Sequence, residues 1–417
     1  MAGKKWIYWM LGLLIGALVI LFAVSVVVKE QSKKAAESFK EIEVHGSTIA
    51  GFQKGKKSWE VRVGYQWTGQ SKYLIWGENV FDGRLFDSAG KLVVSDLKAR
   101  EVRVNSRSKI LNAFGAISAT FLRRQPKAEE WVKISCEELR YSDPTKTSYL
   151  AKNIMIIKGK YVIRPLGEVE VNHDQNIAYV RGGFLMDSDR YWVSGNAMTI
   201  FIDEDYADII GPILMMRKGE TTPDPELDPR EIQMRSKNAY IMADFMTYRM
   251  KKDDNRLEVR RGVHLIQDDK EMWGEQGYYS EKDDLFYIQG NVRMMSGSLG
   301  WLINRNRKPK IKNEEFAKSM EEPLEFSCQS VLFNSKTRNI ELYGDVKIHQ
   351  PEKWVSCQRV FYDDQRQSLL LAGNVVVKRM GEETFRTRSL AIDIDKETVE
   401  ASHAFETEFK IKRKEKK

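Results

Sequence analysis

Two stretches with nearly the same pattern decide the fold: residues 326–348 read FSCQSVLFNSKTRNIELYGDVKI, and residues 355–377 read VSCQRVFYDDQRQSLLLAGNVVV. Each stretch contains a strand whose third residue is cysteine, a polar turn, and a second strand that reaches a glycine and continues with alternating apolar residues. The two glycines, Gly344 and Gly373, are 29 residues apart. This spacing predicts antiparallel hairpins, because it leaves no room for a crossover helix.

The glycine-centred pattern recurs elsewhere in the chain. Residues 290–294 (GNVRM) are a close copy, residues 182–186 and 211–215 are looser copies, and residues 261–265 (RGVHL) place arginine in the glycine position. Since side chains alternate between the two faces of a strand, each copy has one apolar face. The repeats predict a mainly β fold, a long stack of short strands placed edge to edge.

An uncharged segment near the amino terminus predicts a membrane anchor. Residues 6–28 contain no Asp, Glu, Lys or Arg, and as a helix they would extend about 34 Å, enough for a hydrocarbon core of about 30 Å. A cleaved secretion signal is the alternative, but its apolar core is normally shorter. We therefore expect a cytoplasmic tail (1–5), a single transmembrane helix (6–28), a polar tether (29–44), and residues 29–417 outside the cytoplasm.

Two interruptions divide the remaining chain. Residues 219–230 are proline-rich and predict a linker or a long loop, and residues 304–323 are a charged insertion in which residues 314–322 favour a short helix. The expected domains are a β-rich segment at 45–218, a second one at 231–406 and a basic tail at 407–417.

Composition and motifs argue against several classes of function. Charged residues make up 30% and apolar residues 42% of the chain, which excludes wholesale disorder and a polytopic membrane fold. The net charge of +8 is mild, and the expected location outside the cytoplasm argues against nucleic acid. Acidic pairs such as Asp363/Asp364 recur at turn positions, where Asp is favoured, so they do not predict a catalytic pair. We expect no enzymatic activity, no cofactor and no metal site.

The three cysteines occupy equivalent positions in the repeat. Cys136, Cys328 and Cys357 each follow a serine near the start of a strand, and Gly195 occupies the same position in another copy. This interchange indicates a need for a small side chain rather than for thiol chemistry. Buried free thiols are the favoured interpretation, and a bond between Cys328 and Cys357 stays open.

The apolar positions that follow each glycine carry the functional hypothesis. They are Phe184, Met186, Ile213, Met215, Val263, Leu265, Val292, Met294, Val346, Ile348, Val375 and Val377. These side chains either fill a closed core or line an apolar groove, and periodicity alone does not separate the two interpretations.

The tandem copies resemble the OstA-like repeat of the periplasmic lipopolysaccharide-export proteins LptA and LptC. Residues 324–400 carry the resemblance most clearly, and the predicted anchor followed by residues 52–63 resembles the start of the membrane-anchored LptC type. The chain is about twice as long as one LptC-like domain, which suggests an LptC-like unit at 45–218 followed by an LptA-like unit at 231–406.

The resemblance implies an elongated, twisted β-jellyroll with an apolar interior for each unit, and a carrier rather than an enzyme. It would pass lipopolysaccharide, held by its acyl chains in the apolar groove, from an inner-membrane ABC transporter toward the outer membrane. Other OstA-like β-jellyroll proteins would join it end to end. The expected location is the inner membrane, with a cytoplasmic amino terminus and most of the chain in the periplasm. The alternative is a membrane-tethered structural β-solenoid that polymerises or binds protein partners without carrying lipid.

Overall fold

A computed structural model describes most of the chain after the predicted anchor. The described residues are 42–69, 71–122, 131–221, 229–251, 254–280, 282–302, 311–379 and 383–408. The predicted tail (1–5), the predicted transmembrane helix (6–28), most of the tether and residues 409–417 lie outside them. No helix among the described residues is both long and apolar enough to cross a bilayer.

Contacts between residues divide the chain into two compact units, and the described part of the first is 42–122 without residue 70, 133–153 and 172–174. Its strands are β1 (Ile42–Gln53), β2 (Lys56–Thr68), β3 (Leu74–Phe86), β4 (Leu92–Asn105), β5 (Ile110–Phe121), β6 (Val132–Ser142) and β7 (Thr147–Ala151). Strands β1 to β5 pair antiparallel in sequence order, and β6 pairs with β7. Leu85, Leu97 and Leu111 are fully buried in its core.

The second unit consists of residues 154–171 and the described residues from 175 onward, with residues 131–132. Its strands are β8 (Met155–Lys158), β9 (Tyr161–Pro165), β10 (Val169–Asn172), β11 (Ile177–Val180), β12 (Phe184–Asp187), β13 (Tyr191–Gly195), β14 (Ala197–Phe201), β15 (Tyr206–Arg217), β16 (Ala239–Lys251), β17 (Asp254–Gln267), β18 (Lys270–Ser280), β19 (Leu285–Ser296), β20 (Leu324–Asn334), β21 (Ile340–Gln350), β22 (Lys353–Asp363), β23 (Ser368–Arg379), β24 (Glu383–Asp393) and β25 (Thr398–Glu408). Its helices are α1 (Pro229–Arg235), a 3-10 turn at Gly300–Leu302, and α2 (Glu314–Glu321).

From β15 to β25 every strand pairs antiparallel with the next strand in sequence. The mainly β fold predicted from the repeats is therefore confirmed. The predicted boundary at 219–230 lies between two paired strands of the second unit, β15 and β16. The division into domains at 45–218 and 231–406 stays a prediction.

Several predicted boundaries differ from the observed elements by a few residues. Strand β1 begins at Ile42, so the last residues of the predicted tether belong to the sheet. Helix α1 takes Pro229 and Arg230 from the predicted linker, and β25 extends to Glu408 rather than residue 406. The short helix predicted within the insertion is confirmed as α2. Its amino terminus is capped by Asn313, whose Oδ1 accepts the backbone N–H of Phe316 at 3.0 Å.

A two-residue kink in the middle of the long strands explains the Gly-Asn and Gly-Asp pairs of the repeat. Gly373 and Asn374 have φ values of +80° and +51°, and Gly344 and Asp345 have +78° and +45°. The pairing register shifts at the same points. Because the left-handed region is open to glycine and tolerated by Asn and Asp, these residue types form a bulge that bends each strand.

The acidic pairs lie in hairpin turns, as the sequence predicts. Asp205 and Asp284 have positive φ values of 58° and 51°, and Asp363 Oδ1 accepts the backbone N–H of Arg366 at 3.0 Å. Asp205 and Asp364 are also buried, and each is bonded to a distant basic residue: Asp205 to Lys158 and Asp364 to Arg230.

Candidate functional site

The first apolar residue after each kink is buried inside the second unit. Phe184, Ile213, Val263, Val292, Val346 and Val375 are between 0% and 2% exposed. Protein atoms therefore cover these predicted groove residues, and at this depth the interior is a packed core.

A small side chain lies opposite the buried residue on the neighbouring strand. Val346 pairs with Cys357, and Val375 pairs with Thr387. Cys357 Sγ donates to the carbonyl of Arg359 at 3.5 Å, and Thr387 donates in the same way to the carbonyl of Ser389 at 3.0 Å. Each of these two side chains thus donates a hydrogen bond to a backbone carbonyl beside the register shift. A cysteine and a threonine fill this role equally well.

The cysteines of the described chain are free and buried, which confirms the preferred interpretation of the repeat. Burial raises the pKa of Cys136 and of Cys328 to about 12, and that of Cys357 to about 11. Cys328 and Cys357 do not lie on adjacent strands, since β20 and β22 both pair with β21. One repeat therefore contains two strands, and the two thiols lie two strands apart rather than on neighbouring strands.

The second apolar residue after each kink belongs to a continuous row, which we call the apolar row. Its members pair across neighbouring strands in the order Ile156, Ile163, Met186, Val193, Met215, Ile241, Leu265, Met272, Met294, Phe326, Ile348, Val355, Val377 and Phe385. At about 4.8 Å per strand, the row extends roughly 60 Å. No polar residue interrupts it.

Exposure changes along the apolar row. From Ile156 to Met215 every member is at most 5% exposed, whereas the members from Ile241 to Phe385 are half-buried, with two exceptions. The exceptions are Met294 and Phe326, each 7% exposed. They lie on β19 and β20, the strands that flank the insertion containing α2. The predicted groove residues Leu265, Ile348 and Val377 are in the half-buried part, so a part of each side chain stays exposed.

A second row, on the other side of the kinks, was not anticipated from the sequence. Ile288, Leu342 and Leu371, each two residues before a kink glycine, are at most 5% exposed. A Cβ placed on Gly274 would lie 2.6 Å from Cγ1 of Ile288, so this side chain reaches across the kink to the other half of the neighbouring strand. The signal was present in the repeat, which keeps an apolar residue two positions before the glycine in all three copies.

Comparisons with known proteins give a weak structural likeness. No family model matches the sequence, and no curated protein sequence matches it. Among solved structures, one similar chain is LptH, the LptA homologous periplasmic component of the conserved lipopolysaccharide transport device from Pseudomonas aeruginosa. The identity is 13%, the match covers 32% of this chain and 82% of that chain, and the TM-score is 0.24.

Proposed function

We propose that the protein is a membrane-anchored carrier of lipopolysaccharide or a related glycolipid, with acyl chains lying along the half-buried part of the apolar row. The observation that carries this proposal is the unbroken register of apolar side chains from β8 to β24. A twelve-carbon acyl chain costs on the order of 10 kcal/mol to expose to water, at about 0.8 kcal/mol per methylene. A carrier needs a continuous apolar path to avoid that cost.

The location and the partners belong to the same proposal. The charge-free segment 6–28 would hold the chain in the inner membrane, with residues 29–417 in the periplasm and an ABC transporter as the source of lipid. Strand β25 is the last strand of the meander within the described residues, and its outer backbone groups would pair with another β-jellyroll protein. The chemistry is transfer of a bound lipid, without a catalysed reaction.

One observation favours the alternative of a structural β-solenoid. The first apolar residues after the kinks, such as Val346 and Val375, are 0% exposed, as expected of a closed core whose role is to support the sheet. That protein would carry no lipid along its length and would bind protein partners instead.

Site-specific photo-crosslinking separates the two functions. A photoreactive residue at Ile348 or Val377, in the half-buried row, should capture lipopolysaccharide from micelles. The matched control is Lys347, which is exposed on the opposite face of β21. Equal capture at Lys347 and Ile348, or none at either, would argue against the carrier.

A further inference from the structure

Two segments that are not strands cross the second unit. The first strap is residues 229–238, which contain α1 and lead into β16. The second strap is residues 297–302 together with 311–321, which contain the 3-10 turn and α2 and connect β19 to β20. Successive turns of an antiparallel meander lie on alternate edges of the sheet. We call the edge with turns β22–β23 and β24–β25 edge A, and the edge with turns β17–β18 and β21–β22 edge B.

At edge A the first strap is held by a buried ion pair. Arg230, 8% exposed, donates to both carboxylate oxygens of Asp364, at 2.9 and 3.1 Å. Arg230 Nη1 also donates to the carbonyl of Leu302 in the second strap, at 2.8 Å. The hydroxyl of Tyr362 donates to the same carbonyl at 2.5 Å. One arginine thus fastens both straps to the turn between β22 and β23.

The first strap also reaches edge B. The carbonyl of Met234, four residues after Arg230 in α1, accepts the side-chain amide of Gln267 at 2.8 Å. Gln267 is the last residue of β17. A straight strand of eleven residues would hold the two edges roughly 35 Å apart, whereas α1 is only about 10 Å long. The kinked strands must therefore fold so that the two edges approach each other, and α1 bridges the gap between them.

The second strap makes the same crossing. The backbone N–H groups of Lys312 and Asn313 donate to the Glu397 carboxylate at edge A, at 2.8 and 2.6 Å. At edge B the carbonyl of Ser319 accepts the side-chain amide of Gln350 at 2.7 Å. Lys353 donates to the hydroxyl of the same serine.

The second strap carries two apolar side chains on one face of α2. Met320 of α2 is 7% exposed, and Phe316, one helical turn earlier on the same face, is half-buried. The N–H of Leu299 donates to the carbonyl of Met320 at 2.8 Å, which joins the two parts of the second strap. The only well-buried members of the row between β16 and β24 are Met294 and Phe326, on the strands that the second strap connects.

We infer that the two straps form a lid over the apolar row, and that the Arg230–Asp364 pair is its latch. This inference rests on the proposed function: the lid fills the space above Met294 and Phe326 with the protein's own apolar side chains, and a lipid chain takes that space when the latch opens. The structure is the closed state. A lipid chain passing along the row must displace the straps.

The test measures the lid and the lipid separately in the full-length protein in detergent. Arg230→Gln should raise the hydrogen-exchange rate of residues 229–235 and 314–321 at least tenfold. It should also raise the initial rate of lipopolysaccharide crosslinking to a photoreactive residue at Ile348 several-fold. The double variant Arg230→Met/Asp364→Asn removes both charges of the latch and leaves Arg338, whose Nε lies 3.8 Å from Asp364 Oδ2, beside a neutral amide. It should act in the same direction even if the single variant misfolds. The matched control is Lys158→Met, which breaks the Lys158–Asp205 pair in the same unit without touching a strap.

The outcomes are distinct. Unchanged exchange in the straps overturns the latch. Faster exchange with the same crosslinking rate as in the unaltered protein overturns the lid and leaves the carrier standing. If no variant, including the unaltered protein, is crosslinked to lipid, the proposed function is overturned and the lid falls with it.

Discussion

Replacing Gly274 with alanine would place a methyl group against the side chain of Ile288. The added Cβ would lie 2.6 Å from Cγ1 and 2.8 Å from Cδ1 of Ile288, which is 0% exposed and has no room to withdraw. Overpacking of this kind costs about 1–3 kcal/mol of unfolding free energy. Ile288→Ala removes both atoms and leaves a cavity, at a cost of about 2–5 kcal/mol.

The double variant Gly274→Ala/Ile288→Ala distinguishes packing across the kink from two unrelated losses. The new methyl group enters the space that the isoleucine leaves. The loss of unfolding free energy in the double variant should therefore be about 1–3 kcal/mol smaller than the sum of the two single losses. Equilibrium urea denaturation followed by far-ultraviolet circular dichroism measures the three values. Gly64→Ala is the control: the nearest atom to its new Cβ is 3.4 Å away, so little change is expected. Additivity within about 0.5 kcal/mol would refute the contact across the kink.

Two further predictions concern buried groups. His173 is fully buried against Phe121, and its Nε2 lies 2.7 Å from the hydroxyl of Ser148; burial lowers its pKa to about 3 from 6.5. The folded state favours the neutral imidazole. The contribution of His173 to the free energy of unfolding is therefore complete above pH 6.5 and is lost as the pH falls toward about 3. The loss amounts to at most about 5 kcal/mol. His173→Gln should flatten the acid limb of a stability-against-pH curve and exposed His349→Gln should not; parallel curves for His173→Gln and the unaltered protein would contradict the assignment. Cys357→Thr should unfold within about 1 kcal/mol of the unaltered protein, since threonine already fills the equivalent position, whereas Cys357→Asp should lose more than about 3 kcal/mol. Equal urea midpoints for the two Cys357 variants would show that the position is not a packed core.

Strand periodicity and turn chemistry are local properties, so the sequence predicted them well. The glycine of each Gly-Asn or Gly-Asp pair gave the repeat length, whereas the left-handed backbone at Gly373 and Asn374 became evident only in the structure. The interchange of Cys357 with glycine predicted a small buried position. The second apolar position after each kink falls in the apolar row, whereas Ile288 and its equivalents before the kink were missed. That these positions hold lipid stays a prediction.

The sequence alone determined that the chain is a stack of antiparallel strands with one apolar face, because alternation and turns act over a few residues. Only the tertiary structure decided which apolar side chains are covered. Val346 and Ile348 lie two residues apart on the same face of β21, yet one is fully buried and the other half-buried. The difference comes from the folding of the strands at their kinks and from segments distant in sequence. Arg230 and Asp364 are 134 residues apart. A sequence pattern that extends over a few residues does not predict an ion pair between two such distant segments.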